Sequence, residues 1–138
     1  MSPRKKLTLS NNEWQLMTVL WRADEPLIVS EIMDRLTGTV NWSYSTLQTQ
    51  LTRLVDSGYL AYTKRGRTRL FYPAVPMEKC VAEENETIHS RMPEEATNQL
   101  LLCMMRDARS LTDEEADELE QLVEKLRREN QQTDGREK

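Results

Sequence analysis

A chain of 138 residues, 38% hydrophobic, 30% charged and only 6% aromatic, has room for one or two small domains with a modest core and not for a large sandwich or barrel. No apolar run approaches a membrane span, and the basic start is not followed by the apolar stretch of a secretory signal, so a cytoplasmic location is expected. The net charge of −4 hides an asymmetry: residues 1–75 carry ten Lys/Arg against six Asp/Glu, and residues 76–138 carry nine against seventeen, so the first half can meet a polyanion.

Residues 1–9 read as a mobile basic tail. Ser10 and Glu13 then stand at the spacing of a capping box, which satisfies two orphan helix donors reciprocally. The first helix carries Trp14, Met17, Leu20 and Trp21 as an apolar stripe and ends at Asp24-Glu25-Pro26. Leu27–Val29 is too short for an independent strand and long enough for a single bridge. Ser30 precedes a second short helix with Ile32, Met33 and Leu36 inward, and Gly38 stops it. The third helix lies in "NWSYSTLQTQLTRL", residues 41–54, capped by Asn41 or Ser43. Leu47, Leu51, Leu54 and Val55 form its core stripe. At about 100° per residue, Ser45, Thr49 and Thr52 fall opposite, with Thr46, Gln48 and Arg53 on the flanks. A solvated helix face usually carries Lys and Glu, whereas this one shows hydroxyls and amides.

Ser57-Gly58 closes that helix. Residues 59–64 and 68–73 alternate and are rich in Tyr, Thr, Leu and Phe, which predicts two strands around Arg65-Gly66-Arg67, with Gly66 free to take a positive φ. Pro73 and Pro76 mark a boundary. Only helices are expected downstream: one over 77–92, one opened by Pro93 and containing "QLLLCMM" (99–105), and one opened by a Thr112/Glu115 capping box with Leu119, Leu122, Val123 and Leu126 as its stripe. Residues 131–138 are expected to be disordered.

Three helices and then a hairpin with a cationic tip predict a mainly α fold with a small antiparallel β-hairpin. That is a winged helix-turn-helix domain over 10–75, followed by a helical dimerisation domain over 76–130. In such a domain the third helix enters the major groove of double-stranded DNA, where short side chains allow close approach to base edges. Ser43, Tyr44, Ser45, Thr46, Gln48, Thr49 and Arg53 are the candidate base-reading residues. Lys64, Arg65, Arg67 and Arg69 are the candidate phosphate contacts of the wing, which give affinity without sequence information. The same architecture can serve as a protein-interaction module that never touches DNA. The wing cations favour nucleic acid, since Asp56 is the single acid between residues 42 and 75, against five Lys/Arg.

One winged helix reads only a few base pairs, so a homodimer is expected, with two reading helices about 34 Å or a multiple of that apart. Leu100, Leu101, Met104 and Met105, apolar nearly all round one helix, and Leu119, Leu122, Val123 and Leu126 on the next are the candidate dimerisation residues. An enzyme is not expected: no nucleophile–base arrangement, phosphate loop or metal-ligand spacing is present. Cys80, Cys103 and His89 are scattered, so no metal, cofactor or small-molecule substrate is expected.

The stretches "NEWQLMTVLW", "NWSYSTLQTQLTRLVDSGYL" and "KRGRTRLFYPAV" resemble the penicillinase-repressor family of bacterial winged-helix transcriptional repressors, and the likeness extends over roughly residues 8 to 128. The resemblance implies a homodimer on an inverted-repeat operator that blocks a promoter, with base contacts from Ser45, Thr46, Gln48 and Thr49. Two departures from the family stand out: Tyr44-Ser45 stand where Pro-Lys is frequent, and Gln48 where Arg is frequent. Both remove positive charge from the reading face. The resemblance further implies release by a membrane-bound metalloprotease sensor. The Asn-Phe bond cut in one branch is absent here, and the cut is expected between Val81 and Met92. The Cys pairs of the copper-responsive branch are absent.

Overall fold

The computed structural model of the protein describes residues 8–137. The basic tail expected over 1–9 lies outside the described residues up to residue 7. Leu9 does not belong to a tail: it is buried in the core. It occupies the position before the helix cap, where an apolar residue staples the incoming chain to the first turns.

Helix α1 spans Asn11–Arg22. The Glu13 N–H donates to Ser10 Oγ at 3.3 Å and the Ser10 N–H donates to Glu13 Oε1 at 2.8 Å, which closes the expected capping box. Leu16, Met17 and Leu20 are fully buried, while Trp14 and Trp21 form a half-buried rim with ring centroids 5.8 Å apart. The core stripe is therefore rotated from the predicted one. An indole is large and needs a partner for its N–H, so it suits a rim. Trp21 Nε1 donates to the Val75 carbonyl at 3.0 Å and ties α1 to the chain beyond the hairpin.

Leu27 makes the single bridge foreseen for its segment. It exchanges backbone hydrogen bonds with Phe71 at 2.9 and 2.8 Å. The chain leaves that bridge directly into α2 (Val29–Leu36), so Ile28 rather than Ser30 is the cap residue, its N–H bound to Glu31 Oε1 at 3.0 Å. Ile32 and Leu36 are buried, whereas Met33 is only half-buried. Helix α3 spans Tyr44–Asp56 with Ser43 as its cap. Leu47, Leu51 and Leu54 enter the core, and Gly58 at φ 86° turns the chain so that Tyr59 is buried beneath it.

Strand β1 (Leu60–Arg65) pairs antiparallel with β2 (Thr68–Pro73), from Leu60 opposite Pro73 to Arg65 opposite Thr68. Arg65 is thus a strand residue, and the connection is Gly66-Arg67. Gly66 takes φ 67° at its first position, as a II′-type hairpin turn requires. Leu60 and Phe71 carry the sheet into the same core as α1, α2 and α3.

Helix α4 (Met77–Arg91) begins at Pro76, and Cys80 is buried in this core. The first compact unit accordingly runs to Pro93 and the second starts at Glu94, whereas the sequence reading divided the chain at residue 76. The prolines there end the hairpin, but α4 still has an apolar anchor to bury.

The second unit holds α5 (Glu94–Arg106) and α6 (Asp113–Glu137). The Thr112/Glu115 box opens α6, with bonds of 3.0 and 3.1 Å. This helix continues through the segment expected to be disordered after 130, and the Thr133 hydroxyl donates to the Glu129 carbonyl at 3.0 Å. No described side chain of α6 is buried, and Leu101, Met104 and Leu126 are 54%, 56% and 55% exposed. Among the described residues of this unit Thr97 alone is buried, and no apolar side chain is.

Candidate nucleic-acid interface

The core stripe of α3 fixes which side of the helix is left outside. Ser43, Tyr44, Ser45, Thr49, Thr52 and Arg53 are exposed, and Thr46 and Gln48 are half-buried. All seven candidate base-reading residues therefore have solvent access on one element. The cap is shared: Ser43 Oγ accepts from the Thr46 N–H at 3.2 Å and donates to Thr46 Oγ1 at 2.9 Å, with Ser45 Oγ at 3.3 Å. The Thr49 hydroxyl donates to the Ser45 carbonyl and that of Thr52 to the Gln48 carbonyl, both at 3.0 Å. These back-bonds hold each threonine in one rotamer, with methyl and lone pairs outward. Gln48 is free to offer both a donor and an acceptor.

The hairpin divides its four cations into two sets. Residues paired across an antiparallel ladder share a face, and the face alternates along each strand. Lys64 and Arg69 are directly paired and share a face with Tyr62 and Phe71, the side that continues into the core. Arg65 belongs to the opposite face, and Arg67 stands in the tip. Lys64, Arg65 and Arg67 are exposed, while Arg69 is half-buried. The Arg69 guanidinium carbon lies 5.3 Å from the Tyr62 ring centroid and 5.2 Å from that of Phe71, and the two rings are tilted by 52° at 5.7 Å. Arg69 also lines an open hollow with Ser45, Gln48, Thr49, Thr52 and Arg53.

Sequence reasoning missed Tyr62 and left Thr52 out of the candidate set. The alternation of 59–64 and 68–73 held the signal for Tyr62, because the strand register places it opposite Phe71 and beside Arg69. Of the candidate dimerisation residues, Leu101, Met104, Met105, Leu122, Val123 and Leu126 are exposed and Leu100 and Leu119 half-buried. An apolar hollow where α5 meets α6 is lined by Met104, Met105, Leu111, Leu119 and Leu122. Cys80 is a buried free thiol and Cys103 an exposed one.

The helix order, the bridge and the hairpin, with an outer face of α3 whose one cation is Arg53, define the winged helix-turn-helix class. The sequence matches the family model described as Penicillinase repressor over residues 9–125, and the chain belongs to that family. It is 28% identical to the penicillinase repressor of Bacillus licheniformis over 84% of this chain and 89% of that protein. It is 22% identical to the methicillin resistance regulatory protein MecI of Staphylococcus aureus, over 88% of this chain and 97% of that protein. Among solved structures it is similar to Bacillus licheniformis BlaI, monomeric form, in complex with the blaP half-operator. That match has 29% identity, covers 57% of this chain and 93% of that one, and has a TM-score of 0.46.

Proposed function

We propose that the protein is a sequence-specific, DNA-binding transcriptional repressor of the cytoplasm that acts as a homodimer on an inverted-repeat operator. The observation that carries this reading is the exposed, nearly uncharged face of α3 beside the hairpin cations, in a member of the penicillinase repressor family. Ser43, Tyr44, Ser45, Thr46, Gln48, Thr49 and Arg53 approach the bases. Lys64, Arg65, Arg67 and Arg69 neutralise phosphate. The exposed leucines and methionines of α5 and α6 support the homodimer, because a unit with no buried apolar side chain among its described residues needs a second surface to cover it. An interface of roughly 2,000 Å² suffices for a permanent dimer.

Release by a partner protease belongs to the same proposal. Val81–Arg91, where the cut was expected, is helical. A protease needs that stretch unwound, and beyond Cys80 the helix has no buried residue to oppose local opening. Footprinting on the DNA flanking the protein's own gene tests the reading. A symmetric protected site whose affinity falls steeply with salt is expected. Weak binding that ignores both sequence and salt overturns it.

A further inference from the structure

We propose that the hollow between α3 and the hairpin seats one DNA phosphate, with Arg69 as its principal donor and Tyr62 as the positioning residue that stations the guanidinium. This rests on the function proposed above and identifies which side chains hold one contact and how.

Three observations converge on it. The hollow is lined by Ser45, Gln48, Thr49, Thr52, Arg53 and Arg69, so two guanidinium groups border a space whose remaining lining is short or neutral. Arg69 is not a loose surface cation: it lies 5.3 Å from the Tyr62 ring and 5.2 Å from the Phe71 ring. A planar guanidinium against aromatic faces keeps its outer N–H donors in a fixed fork, which suits a phosphate oxygen pair. Finally, Lys64 is paired directly with Arg69 across the ladder, on the same face. Like charges at such a position repel, and an anion between strand and helix removes that repulsion.

Geometry also argues for phosphate over a base at this place. With α3 in a groove and the hairpin outside it, the strand between the two presents its backbone. The Thr49 and Thr52 hydroxyl hydrogens are engaged with helix carbonyls, so they offer lone pairs, which phosphate cannot use. The donors left in the hollow are Arg53, Arg69, the Gln48 amide and the Ser45 hydroxyl. The hollow thereby adds Arg69 to the single cation, Arg53, that α3 itself brings to this surface.

The test is a double-mutant cycle on the full chain, read by fluorescence anisotropy on labelled random-sequence duplexes of about 30 base pairs, long enough for two half-sites. Tyr62 is 38% exposed but its ring packs on the core residue Phe71, so binding is read only for variants that thermal melting shows to be folded. Arg69→Ala is expected to weaken binding alike on all duplexes and to lower the log–log salt slope by about one. Tyr62→Ala is expected to weaken binding roughly two- to five-fold. Tyr62→Phe restores it, and Arg69→Lys, which keeps the charge but loses the fork, does not restore wild-type affinity. In the Arg69→Ala background, Tyr62→Ala has no further effect. Equal losses from Tyr62→Ala in both backgrounds, full activity of Arg69→Lys, or a changed duplex preference from Arg69→Ala each overturn the proposal. Wild-type binding with an unaffected Tyr62→Ala sinks this proposal alone, whereas a wild type that shows no salt-sensitive binding sinks the function reading and this with it.

Discussion

Threonine on a DNA-facing helix is usually credited with a hydroxyl free to turn either way, but Thr49 and Thr52 have committed theirs. Each donates to the carbonyl one turn back at 3.0 Å, so what it shows outward is a methyl and an acceptor. Such a side chain matches a thymine methyl or a base amino group and mismatches a guanine O6. Gln48 differs, because its amide can give and take at once, which is the pattern that adenine presents. Gln48→Ala is therefore expected to change the preferred sequence, with about 1–3 kcal/mol lost at one base pair and little elsewhere, as read by competition with singly substituted operators. A loss spread evenly over all sequences would remove Gln48 from the reading set. Arg65 and Arg67 should behave oppositely. They lie on the outer face and tip of the hairpin, away from the α3 hollow. Replacing both with Ala should weaken binding to every duplex alike and reduce the salt slope by about two. Preference should stay unchanged in a selection from random DNA.

At the scale of elements, what was legible in the sequence was whatever depends on local chemistry. Both capping boxes were visible because a Ser or Thr three residues before Glu serves only its own helix end. The Gly66 turn and the polar face of α3 were legible for the same reason, whereas of the Leu27 bridge the sequence showed only that the segment suits one, not its distant partner Phe71. What escaped was set by partners distant in the chain. Leu9 looks like tail until its burial is known, and the tryptophans look like core until Trp21 is seen reaching Val75. Pro76 looks like a domain boundary until Cys80 is found buried a turn later. The site divides in the same way: the exposed residues of α3 follow from one helical period, but the splitting of the wing cations needs the strand register, and Tyr62 needs the ring contacts. The start of α3 gives a prediction proper to this scale. Ser43 caps the helix and also holds Thr46 Oγ1, so the first turn of α3 rests on one hydroxyl. Ser43→Ala is expected to lower stability by about 1 kcal/mol in chemical denaturation. Hydrogen exchange of the Thr46 amide should rise more than that of Leu51. A uniform rise across α3 would show that the cap does no more than lower global stability.

For the whole molecule, the division of burial between the two units predicts that they depend on a second copy to very different degrees. The first unit packs Leu16, Leu20, Ile32, Leu36, Leu47, Leu51, Leu54, Tyr59 and Phe71 to near-zero exposure, each contributing about 1.5–3 kcal/mol relative to solvent. The second has two helices whose large apolar side chains remain largely in water, including Leu101, Met104, Met105, Leu122, Val123 and Leu126. α5, at 13 residues, is marginal as an isolated helix in water, and α6 offers it no described buried side chain as cover. A fragment ending at Pro93 is therefore expected to melt cooperatively and to sediment as a monomer. It should bind a two-half-site operator roughly 10²-fold or more weakly than the full chain, because the second half-site no longer benefits from tethering. A peptide of residues 94–138 should show helical circular dichroism only as its concentration rises, since helix formation and pairing there are one event. Helicity that is independent of concentration, with a monomeric mass in sedimentation, would mean that α5 and α6 cover one another, and the homodimer would lose its structural basis.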